Sequence, residues 1–203
     1  MQKDECRLLI KKINSNHNLE EEKNLSLEIE KKLFALPEFL ESQIVLSFAS
    51  NIHEVFTDEI NKKILLSEKK LALPKTTFHT SEMDFYFLNK TLSYDEQLEF
   101  GNFKIREPKQ NLLKFNFADF NFENENANAN FAKKKIFLIV PGVAFDKKNN
   151  RLGHGKAFYD IYLSSLIEKK ISAYFCGVCF NWQILKEIPC NQNDIKMNSV
   201  IFA

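Results

Sequence analysis

Glycine and proline are sparse, five of each in 203 residues, and no apolar run approaches the roughly 18 residues of a membrane-spanning helix. Nor does either charge prevail. Twenty-eight basic and 27 acidic side chains leave a formal net charge of +1, which excludes a general attraction to nucleic acid or anionic membrane and confines any anion site to a local cluster. Residues 1–7 are too charged for a secretory signal. Of the four cysteines, Cys6, Cys176, Cys179 and Cys190, two form a C-x-x-C pair. No second such pair or close histidine pair completes a tetrahedral metal site. Residues 173–180 read instead as a buried strand, in which positions three apart face opposite sides. The thiols are therefore expected to be reduced and without chemistry, as isolated cysteines mostly are, in a soluble, cytoplasmic chain of one domain.

The apolar periodicity changes along the chain. Leu8, Leu9 and Ile13 follow Lys3 and Arg7 at helical spacing, and Leu25, Ile29, Leu33 and Leu36 predict a second helix from about Leu19 to Leu36, stopped or bent by Pro37. Residues 43–48 form a short buried run suited to a strand. Val55, Ile60, Ile64 and Leu65 return to helical spacing over residues 54–67. Further strands are predicted at 70–73, ended by Pro74, and at 85–88, 136–140, 171–180 and 200–202, with a helix over 157–168. Alternating strands and helices mean an α/β sheet with ligands gathered at strand ends. Between 111 and 135, phenylalanines alternate with polar residues and then give way to an Asn-rich tract; this reads as a flexible or irregular insertion.

Three of the five glycines fall within residues 142–155. The run Ile136-Phe137-Leu138-Ile139-Val140 passes through Pro141-Gly142 to Arg151-Leu152-Gly153-His154-Gly155-Lys156-Ala157-Phe158-Tyr159-Asp160. A strand followed by a basic residue and two glycines at the head of a helix lets backbone N–H groups and the helix N-terminus hold phosphate. Gly-x-Gly without a third glycine matches neither the Walker loop nor the dinucleotide fingerprint, and by itself it serves equally as a tight turn without a ligand. Lys3 and Arg7 lie four apart on one helix face; alone they read as an exposed basic face.

Taken together, these segments resemble the 5-formyltetrahydrofolate cyclo-ligase family, also called 5,10-methenyltetrahydrofolate synthetase. The matches run in order along nearly the whole chain: Lys3 and Arg7, Ser47-Phe48-Ala49-Ser50 leading to Glu54 and Thr57, Leu73-Pro74, Met83 and Phe85, Arg106-Glu107-Pro108, the 141–146 and 150–160 segments, and Pro189-Cys190-Asn191-Gln192-Asn193-Asp194. The resemblance implies a Rossmann-like three-layer sandwich, with a mainly parallel central sheet and helices on both faces. It further implies ATP-dependent ring closure of 5-formyltetrahydrofolate by a monomer that engages neither nucleic acid nor membrane.

For the site, the resemblance implies an ATP pocket made of Lys3, Asp4, Glu5, Cys6 and Arg7 together with Arg151, Leu152, Gly153, His154, Gly155, Lys156, Ala157, Phe158 and Tyr159. Ala49 and Glu54, with residues 154–158 of the loop, would take the folate; a carboxylate suits the paired donors of an aminopyrimidine ring. Arg151, His154 and Lys156 would face the charge developing during phosphoryl transfer, and Asp160 and Asp194 would hold Mg²⁺. Departures from the family pattern are Ala157 for glycine, Phe158 for tyrosine, His154 for arginine and Asn198 for an acidic residue. Ala157 is expected to sit in helical backbone. Other readings are a folate- or nucleotide-binding module without catalysis, a sugar-phosphate isomerase or CoA-transferase relative, and a purely structural interaction protein.

Overall fold

The computed structural model describes residues 1–77, 80, 82–101, 104–116 and 135–203. Helices α1 (Lys3–Asn14) and α2 (Leu19–Phe34) open the chain, followed by the single turn α3 (Pro37–Leu40). Next come strand β1 (Ile44–Leu46), helix α4 (Asp58–Leu66) and strands β2 (Lys70–Thr76) and β3 (Met83–Phe87). Short strands β4 (Leu98–Phe100), β5 (Arg106–Pro108) and β6 (Leu113–Lys114) precede the buried β7 (Ile136–Val140). Strands β8 (Ala144–Asp146) and β9 (Arg151–Leu152), helix α5 (Phe158–Glu168) and strands β10 (Ala173–Cys179), β11 (Ile184–Leu185) and β12 (Ser199–Phe202) complete it.

Local chemistry sets several of these boundaries. The Asn18 side chain accepts the Glu21 N–H at 3.0 Å and so caps α2. Pro37 is the first residue of α3, where its missing N–H costs nothing.

Seven strands form one sheet in the order β12-β10-β7-β1-β2-β3-β6. The first five run parallel, and β3 and β6 add an antiparallel edge. Alternation along the strands sends side chains to two cores. Val45, Phe137, Ile139 and Cys176 pack with Ile29 and Leu33 of α2 and Ile60 and Ile64 of α4; Ile44, Leu46, Leu138, Val140 and Cys179 pack with Leu163 and Leu166 of α5. Helices thus cover both faces, and the two cysteines of the C-x-x-C pair point away from each other. Burial pushes the Cys176 thiol up to about 12, leaving it a small apolar core group. Truncating Phe137, which is fully buried, would cost about 3–5 kcal/mol.

Three sequence expectations change. Pro74 does not end β2, which continues to Thr76 against β3. The β1 ladder closes with the Ser47 N–H on the Ala72 carbonyl, and Pro74, having no N–H, ends that ladder rather than the strand. Helix α4 begins at Asp58, four residues after Glu54. Within the expected insertion, Leu113 and Lys114 pair with β3 and Phe115 is buried; residues 117–134 lie outside the described residues.

Strand order reverses at β1: the chain proceeds through β2 and β3 on one side, then returns to β7 on the other. Parallel neighbours whose connections leave in opposite directions open a crevice at their carboxyl ends. The segments after β1 and β7 border it.

Candidate functional site

A cleft of about 550 Å³ occupies that crevice. The segment after β1 contributes Phe48, Ala49, Asn51 and Glu54; the sheet edge contributes Pro74, Thr76 and Met83; Pro141 and residues 151–160 form the opposite side; Lys3 and Arg7 close one end with Asn191, Asn193 and Asp194. Most of the residues singled out from the sequence therefore meet here. Asp4, Glu5 and Cys6 do not line it. Asp4 is exposed and binds Arg7 Nη1 at 2.6 Å, the Glu5 carboxylate accepts the Gln2 N–H at 2.8 Å, and Cys6 is buried with Ile10, Leu152 and Ile188.

Helix α1 reaches the glycine loop directly. Arg7 Nε donates to the Gly153 carbonyl at 2.9 Å. Gly153 itself leaves room for Arg151, since a Cβ there would lie 2.9 Å from Nη1. Gly155 takes φ +91°, a conformation that suits glycine. Ala157 also has a left-handed backbone, at φ +58° and ψ +6°, not the helical one expected, so glycine would be the less strained residue at this position.

Five cationic side chains line the cleft, and four have acid partners. Lys3 Nζ lies 2.6 Å from Asp194, Arg7 pairs with Asp4, Arg151 Nη2 lies 2.7 Å from Asp160, and Arg106 bonds Asp95 and Asp58. Lys156, exposed at the mouth, has no ion-pair partner among the described residues. Arg151 is the opposite case. Its side chain is 5% exposed, Nη1 donates to the Pro141 carbonyl at 3.3 Å, the guanidinium stacks 5.5 Å from the Tyr159 ring, and its buried Nε lacks a partner among the described residues. An orphaned buried donor is costly and concentrates at functional sites. The buried Tyr159 hydroxyl likewise has no partner among the described residues; burial, reinforced by the Glu54 charge, pushes its pKa upward and keeps it a neutral O–H donor.

Glu54 is held outside any helix. Its Oε2 accepts the Asn51 N–H at 2.8 Å, and Oε1 lies 3.3 Å from His154 Nε2 across the cleft. The His154 ring is 64% exposed, whereas Glu54 is only 11% exposed, so the carboxylate is part of the wall and the imidazole faces it from the solvent side. Ala49 is buried beside it. Phe158 lines the cleft with its ring packed against the α5-side core.

Asp146 supports the loop from beneath. Its carboxylate accepts the N–H groups of Lys148, Asn150 and Ile188 and the Asn150 side-chain amide, all between 2.9 and 3.0 Å. Burial opposes the charge, but these donors, the Asn150 amide foremost, outweigh it and hold the carboxyl below its ordinary range. Asn150, at the head of β9, is thereby tied to the segment between β11 and β12 that bears Asp194. Asn198 lies away from the cleft: its side chain accepts the Phe175 N–H at 2.7 Å.

Some lining residues carry no sequence-assigned chemistry. Arg106, Met83, Pro74 and Asn191 belong to the resembling segments, which was the signal available for them. Thr76 and Ile105 had none; they enter because β2 outruns Pro74 and because β4 and β5 pair beside it.

The 5-formyltetrahydrofolate cyclo-ligase family matches residues 1–203. The chain is 29% identical over 184 residues to the mouse 5-formyltetrahydrofolate cyclo-ligase, covering 90% of this chain and 84% of that one. It is 25% identical over 202 residues to a probable 5-formyltetrahydrofolate cyclo-ligase of Caenorhabditis elegans, covering 98% and 92%. The solved structure of Aquifex aeolicus 5,10-methenyltetrahydrofolate synthetase superposes with a TM-score of 0.75 at 28% identity, covering 100% of this chain and 90% of that one. With this match along its whole length, the chain belongs to the 5-formyltetrahydrofolate cyclo-ligase family.

Proposed function

We propose that the protein closes 5-formyltetrahydrofolate to 5,10-methenyltetrahydrofolate at the expense of ATP, with Mg²⁺, releasing ADP and phosphate. One observation carries the reading beyond family membership. Cations from the first helix and a glycine loop some 150 residues later share one cleft with Glu54, joined by the Arg7 to Gly153 bond of 2.9 Å.

In this reading the triphosphate lies along Lys3, Arg7 and the loop N–H groups, and the folate ring meets Glu54 and Ala49. The formyl oxygen takes the γ-phosphoryl group as ADP leaves. N10 then attacks the activated carbon, the bond from that carbon to the phosphorylated oxygen breaks, and the N10 proton is lost. No protein nucleophile is required; the chain positions two substrates and neutralises charge. Lys156 is the cation best suited to the moving phosphoryl group, because no carboxylate has to release it first. Arg151, clamped by Asp160, orients the loop, and the swing of His154 off Glu54 would expose the carboxylate to the folate.

Asp160 and Asp194 fit Mg²⁺. Both are hard oxygen donors on the cleft wall, and Mg²⁺ takes one or two carboxylates with water and substrate phosphates. When bound, the ion supplies charge neutralisation at the phosphate oxygens. Lys3 and Arg151 hold the two carboxylates meanwhile. The switch-point cleft between two helical faces supports a Rossmann-like three-layer sandwich. The four cysteines are free, in keeping with a reducing cytoplasm.

Mixing the protein with 5-formyltetrahydrofolate and Mg-ATP should produce the absorbance of the methenyl product, with ADP formed in equal amount. Product formed without ATP, or ATP hydrolysed without product, would overturn the reaction as written.

A further inference from the structure

We propose that His53 and Glu22 are positioning residues that aim Glu54 at the folate; this rests on the reading of Glu54 as a folate contact. His53 directly precedes Glu54 and is held at φ +60°, an unusual backbone for a residue with a side chain. Two contacts over-determine it. Its Nδ1 lies 2.7 Å from Glu22 Oε1, and its carbonyl accepts Gln183 Nε2 at 2.9 Å. The peptide that leads into Glu54 is therefore fixed from α2 on one side and from the segment after β10 on the other.

Glu22 does not behave as a surface acid. Its side chain is 2% exposed, and a carboxylate is retained at such burial only where it is paired and hydrogen-bonded. Next along α2, Ser26 Oγ accepts the Phe56 N–H at 2.9 Å and donates to the Glu22 carbonyl at 2.7 Å. One helix thus grips the segment on both sides of Glu54. Neither Glu22 nor His53 lines the cleft, so their action passes through Glu54. Strain in the backbone that is locked by surrounding contacts is a usual mark of preorganised sites.

KM values for 5-formyltetrahydrofolate and for ATP, with the thermal midpoint, test this in His53→Gly, Glu22→Gln, Glu54→Gln and the His53→Gly/Glu54→Gln double variant. Glycine suits φ +60°, so His53→Gly removes the imidazole while the turn still folds. The expected result is a rise of about tenfold in the folate KM with the ATP KM unchanged, and a lowered thermal midpoint because the buried Glu22 carboxylate loses its partner. Glu22→Gln keeps an acceptor for Nδ1–H and should stay near the wild-type folate KM. The double variant should show no rise beyond Glu54→Gln alone. An unchanged folate KM in His53→Gly, an equal rise in both KM values, or additive effects in the double variant overturns the proposal while the Glu54 reading stands. A silent Glu54→Gln overturns both.

Discussion

The two walls of the cleft differ in how they are built. The segment after β1 is rigid: the Phe48 carbonyl accepts both Thr57 Oγ1 at 2.6 Å and Asn61 Nδ2 at 2.9 Å, and Phe48, Ala49 and Thr57 are buried. The glycine loop is exposed from His154 to Ala157 and is tied at its stem by Arg7 and Arg151. Backbone with few buried contacts opens at low free energy. On the proposed reading, one wall is preorganised for a ring of fixed shape and the other can wrap a flexible polyphosphate and release it. That reading puts binding specificity for the folate on the β1 side and the phosphoryl chemistry on the loop.

The largest expected effect follows from the loop's one cation without an acid partner. Lys156→Ala should lower kcat/KM by about a hundredfold or more, the usual consequence of removing one donor to a developing charge. Because Lys156 is exposed, the thermal midpoint should hardly move. A variant that kept its rate would shift the chemistry to the rigid wall and dissolve the contrast. On the other wall, Glu54→Gln should raise the folate KM about ten- to hundredfold by removing a charge-assisted acceptor, leaving the ATP KM in place. Equal rises in both would mean the walls do not divide the substrates.

A third test separates the loop from its stem. Asp146→Asn turns an NH₂ group toward N–H donors and should cost about 2 kcal/mol of stability, read by denaturant unfolding. The folded carboxyl titrates below its unfolded value of about 3.9. Its contribution is therefore present above about pH 4 and is lost as pH falls through the folded value, so the gap between wild type and variant should narrow below pH 4. A gap independent of pH would assign the loss to packing rather than to the charge.

The buried strands were legible because they are apolar runs: β1, β7 and β10 lie within the residues expected. Pro74 misled, since whether proline ends a strand depends on which neighbour needs its N–H, and only sheet order settles that. The cleft was legible as a set of residues, because its motifs recur in a family. Its internal division was not. Lys3 and Asp194 stand 191 residues apart, and no spacing rule pairs them, so nothing in the sequence separates Lys156, which has no acid partner, from Arg151, which is clamped. Glu22 escaped notice for the same reason: on a helix with three acidic residues in its first turn, Glu20, Glu21 and Glu22, burial alone sets it apart.

Ala157 provides the smallest and most direct measure of how far the loop's conformation is built in. A left-handed backbone costs a residue with a Cβ about 1–2 kcal/mol, whereas glycine gives back about 0.4–1 kcal/mol through its freer unfolded chain. Ala157→Gly should therefore stabilise the protein by about 0.5–1 kcal/mol, about 1–4 °C in thermal midpoint for a chain of this size. The ATP KM should change less than twofold, because glycine readily keeps the φ +58° backbone and the loop's N–H groups stay where they are. A stabilised variant with a sharply higher ATP KM would show the reverse: alanine holds the loop back from alternative shapes, and the exposed wall is kept in form by its side chains after all.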